Sequence, residues 1–147
     1  MDPSREGPYM RINLTSIFVD DQRAALAFYT DVLGFQKYHD IPIGTDSWLT
    51  VVSPEQPEGP ELLIEPAEHP AKRAFRDAMV EEGTPMVQFT VDDVHAEHER
   101  LVTAGVTFVQ PPTDVGAVIA AVFDDTCGNL VQIVTPAPSP TPTERAD

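Results

Sequence analysis

The chain of 147 residues predicts an α+β fold: two tandem βαβββ modules with a linker helix between them. Three observations carry this. Ile17-Phe-Val-Asp-Asp21 and Phe89-Thr-Val-Asp-Asp93 repeat at a spacing of 72 residues, Asp21 to Asp93. Each copy leads from period-two alternation into a helical pattern that stops at a glycine, Gly34 or Gly105. Three short apolar runs then follow each glycine.

The opening strand of each half is marked by Ile17 and Val19, then by Val87, Phe89 and Val91, with one face turned to a core. The aspartate pairs suit helix N-caps, because a short carboxylate accepts the unpaired first-turn amides. In the first helix Leu26, Tyr29, Val32 and Leu33 share a stripe; in the second, Val94, Leu101 and Val102 with Ala104 do so less richly. The later strands are expected at 35–41, 48–52 and 61–65, then at 106–109, 117–123 and 130–135. Residues 68–83 form the linker helix, with Pro70 in its first turn, an alanine-rich interior and Phe75 above Met79 at i, i+4. It is placed to cover one mouth of the cavity. The boundaries are residues 11–66 for module one, 67–84 for the linker and 85–135 for module two. The first ten residues and the proline-rich 136–147, with little apolar to bury, are expected to be disordered.

Composition excludes several function classes. Lys and Arg total 9 against 24 Asp and Glu, a formal net charge of -15, the wrong sign for a nucleic-acid partner held through phosphates. No apolar run is long enough to span a bilayer. The single Cys127 has no internal disulfide partner, and the N-terminal residues lack a signal-peptide pattern, so a cytoplasmic location is expected.

The sequence resembles the vicinal-oxygen-chelate superfamily, which includes glyoxalase I, extradiol dioxygenases and bleomycin-resistance proteins. The residues are Val19-Asp-Asp21, Ala27-Phe-Tyr-Thr-Asp-Val-Leu-Gly-Phe35 and Phe123-Asp-Asp-Thr-Cys-Gly-Asn-Leu-Val-Gln-Ile133. The resemblance implies curved sheets around a cup. In metal-dependent members it also implies four ligands, one in the first and one in the last strand of each module. Counting from the capping aspartates and from Gly128, three of these positions hold Leu14, Met86 and Gln132. The fourth lies in 61–65, where alternation puts Leu62 and Ile64 on one face and Glu61, Leu63 and Glu65 on the other. A thioether and an amide are poor substitutes for histidine and carboxylate. No metal or other cofactor is therefore expected, with Glu65 and Gln132 the residual candidate ligands.

Alternation directs Met86, Gln88 and Thr90, and Leu130, Gln132 and Val134, towards the cavity. Leu14, Ser16, Trp48 or Leu49, Thr50 or Val51, and Glu61 or Glu65 join them. This mixed lining suits a planar or amphipathic small molecule. Glu65 and His69 are a candidate acid–base pair if the linker folds over the cup, since histidine titrates in the useful range. His95 and His98 read as a solvated helix face, His39 as a strand-edge residue and Cys127 as part of a turn. The expected function is binding or sequestration of a toxic or cationic small molecule. The alternatives are a glyoxalase-like lyase or isomerase using Glu61 or Glu65 with Gln132, and an assembly subunit whose cup has degenerated. Closure of the cup by one chain or by a homodimer stays open.

Overall fold

The computed structural model describes residues 9–137; most of the two expected disordered ends lies outside them. Module one comprises β1 (Leu14–Val19), α1 (Gln22–Ala27), β2 (Gln36–Ile43), β3 (Asp46–Val52) and β4 (Glu61–Pro66). The linker helix is α2 (Pro70–Glu81). Module two comprises β5 (Val87–Thr90), α3 (Val94–Thr103), β6 (Phe108–Asp114), β7 (Val118–Asp124) and β8 (Leu130–Pro136). Each module is a four-stranded mixed sheet, ordered β1-β4-β3-β2 and β5-β8-β7-β6, with its first and last strands parallel.

Local chemistry accounts for the elements. Asp21 Oδ1 accepts from the amides of Arg23 (2.9 Å) and Ala24 (3.1 Å), and Asp93 Oδ1 accepts from Ala96 (3.2 Å), caps each worth about 1 kcal/mol. The first helix turns the expected stripe to the core and adds Phe28 to it. After Ala27 it widens into a π-helical turn, Phe28–Val32, which rolls Phe28 and Tyr29 inward together. The deepest residues are thus Ala25, Phe28 and Tyr29, with Leu26, Val32 and Leu33 at the margin. In α3, Val94 and Leu101 are buried but Val102 is exposed, which narrows its stripe.

Two strands run further than alternation suggested. β2 passes through Pro42, and β6 passes through Pro111 and Pro112 to Asp114. Both are edge strands, where half of the amides face away from the sheet, and both carry register shifts, with Pro111 and Pro112 falling in the gap between paired Gln110 and Thr113. β8 likewise continues to Pro136, and the Ala137 amide donates to Ala117.

The helix-side faces of both sheets meet in one core: Ile17, Val19, Leu49, Val51, Leu62 and Ile64 from one, Ala121, Phe123, Val131 and Ile133 from the other. Ring contacts cross the junction, Phe28 to Phe123 at 6.3 Å and Phe35 to Phe89 at 4.9 Å. The two modules stand back to back. Their opposite faces, those expected to line the cup, turn away from this core.

The linker helix is held by a charged residue. Phe75 is half exposed, and the buried residue of α2 is Arg76. The helix is rolled so that Arg76 Nη1 donates to Asp20 at 2.7 Å, at the end of β1.

Candidate functional site

On module one the strand registers settle which residues share the cup face. Ser16 lies beside Leu63, Leu63 beside Thr50 and Thr50 beside His39, forming one row across the four strands. Trp48 pairs with Ile41, Leu14 with Glu61 and Phe18 with Glu65. Trp48 and Thr50 therefore face the cup, while Leu49 and Val51 are fully buried in the core. Both glutamates are on the cup face.

The two glutamates have different partners. Glu61 Oε1 accepts from the Thr50 hydroxyl at 2.8 Å and from His39 Nδ1 at 2.9 Å. His39 reaches this row because β2 has a bulge between Lys37 and His39. Lys37 pairs with Val51 on the core side and His39 with Thr50 on the cup side. Sequence alternation could not register that shift, so His39 read only as an edge residue. Glu65 instead pairs with Lys72 of α2 at 3.4 Å, and the Lys72 ammonium lies 5.5 Å over the Phe18 ring. His69 caps α2, its Nδ1 accepting from the Ala71 amide at 3.0 Å. Glu65 and His69 do line one recess of about 300 Å³, together with Trp48, Leu63 and Lys72. Thus α2 stands at one end of this cup face.

On module two Gln88 and Gln132 are neighbours in register, and Gln132 Nε2 donates to Gln88 Oε1 at 2.6 Å. Gln88 and Thr90 are exposed beside buried Ala120, Val122, Leu130 and Val134. Met86 precedes β5 and is half-buried against the shared core. The internal repeat now identifies the fourth position. Ser16 and Gln88 are 72 residues apart, and their parallel neighbours are Leu63 and Gln132. Leu63 is therefore the counterpart of Gln132, with Glu61 and Glu65 two residues to either side. Among the described residues no three His, Cys, Asp or Glu side chains cluster as a metal site would require.

A second polar cluster, buried, joins the modules. Asp125, wholly buried in the β7–β8 turn, accepts from the Tyr29 hydroxyl at 2.6 Å and from the amides of Cys127 (2.8 Å) and Asn129 (2.9 Å). Asn129 Nδ2 also donates to it at 3.1 Å and to the Phe18 carbonyl at 3.0 Å, reaching back into module one. Burial first, and the Asp125 charge next, push the Tyr29 phenol well above its ordinary value. A raised phenol supports the fold below the ordinary tyrosine range and loses that contribution as pH rises beyond it.

Cys127 is buried in the same turn, and desolvation, reinforced by Asp125, raises its thiol to about 12. Very little thiolate is then present at pH 8. Labelling of the native protein by a soluble disulfide reagent at pH 8 is expected to be slow and to accelerate with denaturant in step with global unfolding. Rapid stoichiometric labelling without denaturant would contradict this environment.

The profile of the Glyoxalase/Bleomycin resistance protein/Dioxygenase superfamily matches residues 11–133. The chain belongs to this superfamily. Among relatives within it, the uncharacterized protein YurT of Bacillus subtilis (strain 168) is 53% identical over 125 residues, covering 85% of this chain and 98% of YurT. An uncharacterized protein of Shewanella frigidimarina (strain NCIMB 400) is 30% identical over 116 residues, covering 78% and 85%. Among solved structures, UcmS2 superposes with a TM-score of 0.74 at 33% identity, over 86% of this chain and 98% of that one. TnmS3, an antibiotic binding protein from Streptomyces sp. CB03234, gives a TM-score of 0.71 at 24% identity, over 90% and 100%. The superfamily motifs have a structural role in this chain. Tyr29 of the Phe-Tyr motif and Asp125 and Asn129 of the Asp-Asp-Thr-Cys-Gly-Asn motif build the joint between modules.

Proposed function

We propose that this superfamily member binds and sequesters an amphipathic small molecule on its cup faces without a protein-bound metal. One observation carries the reading. The four positions related by register and repeat hold Leu14, Leu63, Met86 and Gln132. Two alkyl groups, a thioether and an amide already bonded to Gln88 do not fit a divalent ion that polarises a carbonyl. What the cup keeps is a binding surface: Ser16, Trp48, Leu63, Gln88 and Gln132 mix apolar area with hydrogen-bonding groups. The antibiotic binding by TnmS3 on the same fold supports this class of function.

The back-to-back modules support a homodimer as the binding unit. Ile41 and Ile43 on the β2 edge are half exposed or more, and Trp48 is 36% exposed. A second copy that sets its module two over this face closes the cup and covers them.

A thermal-shift panel of planar, amphipathic and cationic antibiotics tests the reading. A ligand at 100 times its dissociation constant is expected to add about 2.7 kcal/mol. Protein purified without chelator is expected to hold well under one equivalent of divalent metal. A full equivalent, or a panel with no shift, overturns the reading. A second reading, a glyoxalase-like lyase or isomerase using Glu61 or Glu65 with Gln132, is favoured by the carboxylate–imidazole contact of Glu61 with His39. Turnover of an oxo substrate that Gln132→Ala abolishes would select it.

A further inference from the structure

We propose that Glu61 and His39 act as one unit, a hydrogen-bond acceptor that makes the cup selective for ligands carrying an acidic hydroxyl, a phenol or an enol. This rests on the reading of the cup as a binding surface and names the chemistry it selects.

One tautomer of His39 satisfies every contact of the cluster. Thr50, fully buried, donates its single hydroxyl hydrogen to Glu61 Oε1 at 2.8 Å, and its oxygen accepts the His39 amide at 3.1 Å. Thr50 Oγ1 also lies 3.4 Å from His39 Nδ1, but its hydrogen is committed to the carboxylate, so it does not donate to the ring. In that tautomer His39 Nδ1, 2.9 Å from Glu61 Oε1, donates to the carboxylate. A neutral ring with its hydrogen on Nδ1 leaves Nε2 bare, and a carboxylate behind an imidazole makes that nitrogen a stronger acceptor.

The surroundings favour a neutral hydroxyl over an anion. Glu61 and Glu65 both stand on this face, and the ammonium of Lys72 pairs with Glu65. One step along the strands, Trp48 and Ile41 offer an apolar surface for an aromatic ring. The His39 side chain is 39% exposed and that of Glu61 22%, so a ligand reaches the imidazole while the carboxylate stays partly sheltered. In the complex the ligand O–H donates to Nε2. Where the proton crosses, the O–H bond breaks as the N–H bond forms, leaving phenolate beside imidazolium.

The test compares 7-hydroxycoumarin with 7-methoxycoumarin, which differ only in the hydroxyl hydrogen and its methyl replacement. The unaltered protein is expected to prefer the hydroxy probe by about tenfold or more, the ratio of a hydrogen bond with charge behind it. His39→Phe is expected to erase the preference, read as the ratio of the two affinities in the same variant. Glu61→Gln is expected to reduce it in part. Nitrogen-15 NMR of the ligand-free protein supplies a readout without any probe: the neutral His39 ring is expected to carry its hydrogen on Nδ1. Equal affinities, failure of both coumarins to bind, or an Nε2–H ring each overturn the proposal. The cup reading fails separately, when the antibiotic panel gives no shift.

Discussion

Asp125→Ala is expected to destabilise the protein by about 3–5 kcal/mol, the range for leaving a buried polar network without its charged centre. The carboxylate accepts four hydrogen bonds, from the Tyr29 hydroxyl, the amides of Cys127 and Asn129, and Asn129 Nδ2. With alanine in place, these donors stay in a site of near-zero exposure and lose their acceptor. A domain of this size has roughly 5–15 kcal/mol in total, so the variant is expected to melt far below the parent. Urea titration checks it through a lower midpoint with unchanged slope. Tyr29→Phe removes one donor and keeps the other three, so its loss is expected at about 1.5–3 kcal/mol. If Asp125→Ala costs no more than Tyr29→Phe, Asp125 is not the hub of this network.

Gly128→Ala is expected to lose more than about 2 kcal/mol, from two causes that can be separated. Gly128 has φ +105°, a conformation that L side chains rarely adopt. A Cβ there would also lie 2.7 Å from Cζ and Nη1 of Arg76, displacing a buried guanidinium from Asp20. Arg76→Ala removes the obstruction and leaves the backbone cost. Gly128→Ala combined with Arg76→Ala is therefore expected to cost less than the sum of the single changes. Strict additivity would mean that the guanidinium does not pack on this glycine.

The two-module architecture was legible because repetition, alternation and capping agree at each step of the chain. Asp21 and Asp93 cap their helices as the pattern requires, and period two placed Val87, Phe89, Val131 and Ile133 on the helix side. The strand ends through Pro42 and Pro111–Pro112 were hidden because a proline stops a central strand and not an edge. Phe75 with Met79 marked α2 as a helix, but its anchoring through the distant Asp20–Arg76 pair has no local signal. The cup was legible face by face but not atom by atom. The bulge that turns His39 towards Glu61 leaves no trace in local composition, and the choice between Trp48 and Leu49 needed the β2–β3 pairing. Tyr29 and Asp125 stood in recognisable motifs, but only the folded chain brings their side chains together.

That last contact also has a consequence in time. Tyr29 and Asp125 are 96 residues apart, so on the ribosome the hydroxyl is made well before its acceptor. Until the β7–β8 turn emerges, the helix-side face of module one lacks Phe123, Val131 and Ile133, and its aromatic residues are uncovered. Closure of the core is therefore a late event that waits on distant pairings, the kind that folds slowly and leaves sticky surface exposed meanwhile. Nascent chains that stop after the linker helix are the form of this protein most in need of a chaperone.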